Sequence, residues 1–332
     1  GDASPQQIVD RAMKSRPSFT IGGSLVPSGT KREIELPIAR LVTGSEVTLP
    51  VLVVHGRHDG PSVWVDAAIH GDEVGGVEII RRVLAGLDPK RLQGTLIAVP
   101  IVNVHGFMNG DRYLPDRRDL NRSFPGSARG SLAGQIAHLM MAQVVKRCEV
   151  GIDLHTGSDH RSNLPQIRAD LDDPGTRALA EAFGAPVMIH ARTRDGSLRH
   201  AAREHGAKVL LYEAGEAWRF DEWAISAGVT GVRRVLASLE MIDDEPQAAS
   251  TSIESRRTGW VRAGRSGIVQ IHCNLGDNVL EGARLGLIFD SFGRQLSAIK
   301  ATRAGIVIGR VEAPLVNRGD AVVHIAEVPD PG

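Results

Sequence analysis

The chain has 332 residues, 42% hydrophobic and 23% charged, with 39 basic side chains against 39 acidic ones. That composition excludes a disordered or collagen-like chain, no apolar run of about 18 residues is present to cross a membrane, and zero formal net charge removes the overall footprint of a nucleic-acid binder. Two cysteines far apart, Cys148 and Cys273, exclude a disulfide framework and a cysteine-type zinc site, so a reducing, cytoplasmic setting is expected.

The start, Gly1 to Pro5, lacks a basic n-region and an apolar h-region, so no signal peptide is expected. Gln6 to Lys14 predicts a short helix, and a Gly/Ser/Pro turn region follows. From Lys31 to His55 the pattern is β-like: Glu33 to Ile38 alternates, and Leu52-Val53-Val54 is a buried run. His58-Asp59-Gly60-Pro61 predicts a turn, and Val63 to Ile69 a second apolar strand that stops at His70-Gly71-Asp72-Glu73. Val77 to Leu84 has helical periodicity, and Thr95 to Pro100 is another buried strand. Between Asn103 and Gly130 lies a long segment rich in Asn, Gly, Asp, Arg and Pro; loops of that length inside a domain are usually functional. A helix (Leu132 to Arg147), a strand (Val150 to His155), helices at Thr176 to Phe183 and Leu198 to His205, a strand (Lys208 to Glu213) and a helix (Ala224 to Leu239) complete the pattern. Strands alternating with helices predict an α/β fold with a mixed, mostly parallel sheet flanked by helices, and its polar residues sit at strand ends, where such sheets place their sites.

Residues 244–257 are polar and helix-poor, which predicts a linker between a catalytic domain (1–243) and a small C-terminal all-β domain (258–332). The latter carries a weak repeat. Ala263 to Val269 followed by Gly276-Asp277 resembles Ala301 to Val307 followed by Gly319-Asp320, which suggests a small β-sandwich or barrel-sandwich built from two similar halves.

The chemistry concentrates in few places. His70 and Glu73, three apart at a strand end, can converge on one ion, and His155 at another strand end offers a third ligand. Such a pair alone arises often by chance; the combination gains weight because both motifs follow apolar strands and precede glycine-bearing turns. Asp153, two residues from His155 on the same strand face, suits a supporting role. Four arginines between Arg112 and Arg122 supply fixed donors for carboxylates, although Arg117 and Arg118 read as solvated loop residues. Glu213 at the end of an apolar strand reads either as an ion-pair partner or as a general base, with Glu216, in a turn beyond the strand, ranked second.

Taken in order, HGDE, DLNRSFPG, DLHTG and YEAG resemble the succinylglutamate desuccinylase/aspartoacylase family of the zinc carboxypeptidase-like superfamily, over about Val51 to Leu239, and the C-terminal repeat resembles the small β domain many members carry. The resemblance implies one zinc ion per chain held by His70, Glu73 and His155. It implies Glu213 as general base, Arg112 polarising the scissile carbonyl, and Asn121 with Arg122 gripping a substrate carboxylate. Residues that would select the acyl group have no clear match. The implied activity is hydrolysis of the amide, or a similar ester, of a small N-acyl amino acid bearing a carboxylate, with neither nucleic acid nor membrane as partner and self-association into a homo-oligomer left open. Two other readings stay open: a metallocarboxypeptidase acting on short peptides, and a non-catalytic carrier modified at Lys300, which lacks the Met-Lys-Met context of such carriers.

Overall fold

Alternation of side chains builds the centre of the molecule. Along strand Val63–Ala67, Val63, Val65 and Ala67 enter one hydrophobic core while Trp64 enters another, so the run is apolar throughout because both faces are covered. The computed structural model describes residues 16–158, 160–244 and 251–328; the helix expected over 6–14 lies outside them.

The strands are β1 (Phe19–Ile21), β2 (Ser24–Val26), β3 (Thr30–Arg40), β4 (Glu46–His55), β5 (His58–Ala67), β6 (Gln93–Val99), β7 (Val150–Gly157), β8 (Arg161–Ala169), β9 (Val187–His190), β10 (Lys208–Glu216), β11 (Ile253–Ser255), β12 (Thr258–Arg262), β13 (Gly267–Ile271), β14 (Asn278–Val279), β15 (Arg284–Phe289), β16 (Gln295–Lys300), β17 (Gly305–Val311), β18 (Leu315–Val316) and β19 (Ala321–Ala326). The helices are α1 (Gly75–Ala85), α2 (Val104–Asn109), α3 (Leu132–Gln143), α4 (Pro174–Phe183), α5 (Leu198–Glu204) and α6 (Glu222–Ser238). The large sheet runs β12-β19-β17-β8-β10-β7-β5-β6-β4-β3. Its central strands β10, β7, β5 and β6 are parallel, and the flanking pairs are antiparallel. Helices α1, α4 and α6 cover one face and α3 with α5 the other, which gives a three-layer mixed α/β fold.

Close approach dictates some positions. Gly151 on β7 faces Trp64 on β5; a β-carbon there would lie 2.0 Å from the indole. Gly151→Ala should therefore destabilise the fold by about 1–3 kcal/mol through overpacking, read from denaturant melts, and an unchanged midpoint would contradict this packing.

Several elements differ from the sequence expectation. His58-Asp59-Gly60-Pro61 is the start of β5 and not a turn; Gly60 lies so close to the Gln93–Gly94 backbone that the strand continues through an irregular register there. The long segment after Asn103 contains α2, which the Asn103 side chain caps, and a 3-10 turn over Leu120–Arg122, which Asp119 caps. β8 and β9 were not expected. β8 is polar because one of its faces lines a cavity, and its Pro165 sits where the register with β10 shifts, so its missing N–H disturbs no ladder. Inside the segment expected as a linker, β11 pairs in parallel with β9.

The C-terminal strands form two layers around a core of their own. β13, β15, β16 and β18 make a four-stranded sheet, while β12, β19 and β17 extend the large sheet by pairing β17 with β8. The repeat halves open β13 and β17, one in each layer. Lys300 ends β16 opposite Arg284 and occupies no hairpin tip, which removes the geometry a carrier lysine needs.

Candidate active site

The parallel strands end on one edge of the sheet. β5 leads into the His70–Glu73 turn, β7 presents His155 and β10 presents Glu213, with His155 and Glu213 in direct register. Gly71 lets that turn press onto the Gly106 and Asp111 backbone, where a β-carbon would lie 2.1 Å from Gly106, and this approach brings Arg112 beside the turn.

The two imidazoles converge on one carboxylate. His70 Nδ1 lies 2.9 Å from Glu73 Oε1, and His155 Nδ1 lies 2.8 Å from Glu73 Oε2, which also accepts from the Thr156 N–H at 3.2 Å. All three residues are buried, and one ligand atom from each lies within 4.8 Å of the others. The outer nitrogens face carboxylates: His70 Nε2 lies 3.1 Å from Asp119 Oδ1, and His155 Nε2 lies 2.9 Å from Asp153 Oδ1. The second contact is not aligned as a hydrogen bond, and both Asp153 oxygens lack a hydrogen-bond donor among the described residues, so His155 is the charge partner this buried carboxylate faces. Inward Nδ1 atoms with carboxylates behind them are the arrangement by which proteins fix imidazoles around a metal.

The electrostatics agree. Burial alone pushes the Glu73 carboxyl up, but His70 and His155 hold it well below the usual range. Burial pushes His155 down, yet Asp153 and Glu73 hold it well above the ordinary imidazole value, and His70 is raised against burial by Glu73 and Asp119. Asp119 sits at about 2, burial being outweighed by its bond to His70. Asp66, the register partner of Asp153 on β5, is pushed well above the carboxyl range by burial and by Asp153. Three carboxylates around two imidazoles make a site that favours positive charge, and the donor set of two imidazoles and one carboxylate fits zinc.

The remaining candidates surround the same hollow, a cavity of about 600 Å³. Arg112 Nη1 donates to Glu73 Oε1 at 3.1 Å, and its Nη2 lies 3.8 Å from Asp119. Asn121 Oδ1 accepts from the Leu198 N–H at 3.0 Å, which turns its NH2 group, the donor end of the amide, away from that contact. Arg122 donates to the Asn121 carbonyl at 2.6 Å. Glu213 accepts from Arg168 Nε at 3.0 Å. Glu216 lies within β10, not in a turn beyond it, and pairs with Arg219 at 2.9 Å in a different hollow.

Sequence reasoning did not single out Asp119, Arg168, Arg199, Trp260 or His324, all of which support or line the site. Asp119 had a signal, an acidic cap two residues before Asn121. Buried Arg199 donates to the Ala191 and Arg192 carbonyls, and burial lowers it to about 10. Trp260 stacks on His324 at 4.4 Å and brings the C-terminal strands into the cavity wall. A second carboxylate–imidazole group, Asp170, Asp172 and His190, is already spent: Arg203 and Arg256 hold the acids, and His190 Nδ1 accepts from the Leu171 N–H.

Residues 59–239 match the family model of the succinylglutamate desuccinylase/aspartoacylase catalytic domain. The chain belongs to this family. It is 28% identical over 312 residues to the N-alpha-acetyl-L-2,4-diaminobutyric acid deacetylase of Halomonas elongata, covering 89% of this chain and 90% of that protein. Against the succinylglutamate desuccinylase of Burkholderia cenocepacia it is 30% identical over 184 residues, 48% of this chain and 51% of that protein, so it matches about half of that relative's length. The product-bound ectoine utilization protein EutE (DoeB) from Ruegeria pomeroyi superposes with a TM-score of 0.81 at 25% identity, over 91% of this chain and 97% of that one. The likeness to the deacetylase and to the EutE structure thus extends beyond the residues matched by the family model, into the C-terminal strands.

Proposed function

We propose that the protein is a zinc-dependent hydrolase that splits the amide bond of a carboxylate-bearing N-acyl amino acid, and esters of similar shape. The observation that carries the reading is the orientation of the two buried imidazoles, Nδ1 toward Glu73 and Nε2 toward a carboxylate. His70, Glu73 and His155 would hold the ion. When bound, zinc acidifies water and acts as a Lewis acid toward a carbonyl oxygen.

The chain's own groups do the rest. Glu213 takes a proton from the attacking water and returns one to the leaving amine. Arg112 donates to the carbonyl oxygen as charge develops there, in a site where a fixed guanidinium costs no reorganisation. The Asn121 amide and the Arg122 guanidinium hold the substrate carboxylate and so align the scissile bond. Arginines 122, 161, 168, 192, 194 and 199 line the cavity and favour an anionic substrate. The long match to a deacetylase of an N-acetyl amino acid supports the same substrate class.

Metal analysis coupled to a screen of N-acetyl, N-succinyl and other N-acyl amino acids against short peptides tests the reading. Release of free amino acid from an N-acyl substrate, dependent on zinc, is expected; peptide cleavage alone would replace the reading with a carboxypeptidase. Within that screen, Arg122→Ala should raise KM about 10- to 100-fold for carboxylate-bearing substrates, the worth of one charge-assisted bond. Equal weakening for substrates lacking the carboxylate would mark Arg122 as structural.

A further inference from the structure

The strand that carries Glu213 is flanked by β8, and β8 is flanked by β17 of the C-terminal part. A chain of side-chain hydrogen bonds crosses all three. Arg168 donates from Nε to Glu213 Oε2 at 3.0 Å and from Nη2 to Gln166 Oε1 at 3.1 Å. Gln166 is fully buried, and its Nε2 donates to the Leu164 carbonyl and to the Ile308 carbonyl of β17, each at 3.1 Å. Both amide hydrogens are thus spent on carbonyls. The flipped amide would set its oxygen against two carbonyl oxygens and its NH2 against a guanidinium that only donates, so the Gln166 oxygen has one orientation, toward Arg168. A free arginine at a cavity wall samples many rotamers; here two of its edges are engaged and the carboxylate it holds is aimed.

We propose that Gln166 is a positioning residue for the reaction: it locks Arg168 against Glu213 and makes the aim of that carboxylate depend on the seating of β17 in the large sheet. The inference rests on Glu213 being the base. It gives β17 a part in catalysis that needs no contact with substrate, since the Ile308 carbonyl is the outer anchor of the chain.

Gln166→Met preserves length and removes the donors and the acceptor together. It should lower kcat about 10- to 100-fold, the scale of a reacting group misplaced by about 1 Å, with KM and zinc content unchanged. In a Glu213→Gln background the same substitution should have no further effect, because no base remains to be aimed. Arg168→Met should lower kcat alike, with KM raised as well by the loss of a cavity cation, and be non-additive in kcat with Gln166→Met; Arg168→Lys should restore little kcat, since an ammonium lacks the fixed fork that serves two partners. Wild-type kcat in folded Gln166→Met, or losses that multiply in the Glu213→Gln background, would overturn the inference. If Gln166→Met does not fold, Arg168→Met carries the test, its side chain being 25% exposed: an unchanged kcat overturns the inference, and a loss that vanishes in the Glu213→Gln background supports it. Full activity in Glu213→Gln alone would instead remove Glu213 as the base, a separate failure.

Discussion

Glu213→Gln should keep its zinc and lose about 10²- to 10⁴-fold in kcat, the usual worth of a positioned general base. The substitution is nearly isosteric. The Gln oxygen still accepts from Arg168, so the side chain stays where the carboxylate was, and what disappears is the capacity to take up a proton. Metal retention follows from the layout, because the group that converges on Glu73 is His70 and His155, while Glu213 engages Arg168. Zinc stoichiometry and kcat measured on one preparation separate the two effects. Unchanged turnover would remove Glu213 from the reaction, and zinc loss would place it in the metal cluster. Glu216→Gln is the internal comparison: its carboxylate is paired with Arg219 in another hollow, so turnover should stay near that of the parent protein.

How much of this was legible beforehand depended on where each residue's instructions lie. Apolar strands with both faces buried write themselves as continuous runs, which is why β5, β6, β7 and β10 and their order of alternation with helices could be anticipated. β8 hides for the opposite reason. Its Arg161, Asn163 and Arg168 line the cavity and its Pro165 sits at a register shift, so its pattern resembles a loop. The convergence of His70, Glu73 and His155 was readable because each ends or follows an apolar strand beside small residues. Gln166 and Arg168 were not, because their contacts exist only across strands: nothing local to Gln166 says that a carbonyl from β17, 142 positions away, will orient its amide. The C-terminal repeat predicted two β layers. That one of them would extend the catalytic sheet through a β17–β8 pairing is a matter of long-range register, which hydropathy periodicity does not encode.

His155→Ala should empty the metal site and abolish turnover. His155 lies on a central strand, buried, with Glu73 on one nitrogen and Asp153 behind the other. Deleting the imidazole removes one of the three proposed ligands and strips Asp153 of the positive partner that faces it, in a place where its oxygens have no hydrogen-bond donor among the described residues. An uncompensated buried charge of that kind costs about 3–5 kcal/mol, so the variant should also melt below the metal-free parent. Added zinc should raise the melting temperature of the parent protein, because an ion that binds only the folded state stabilises it by mass action, and should leave His155→Ala unmoved. Asp153→Asn separates the two consequences. It removes the buried charge but leaves His155 in place, so the site should still load, with zinc affinity about 10- to 100-fold weaker, the usual cost of losing a carboxylate behind a metal-binding imidazole. Competition with a chromogenic chelator measures both variants. Stoichiometric zinc in His155→Ala would show that the ion is held by other residues, and the assignment of His70, Glu73 and His155 as its ligands would then fall together with the hydrolase built on it.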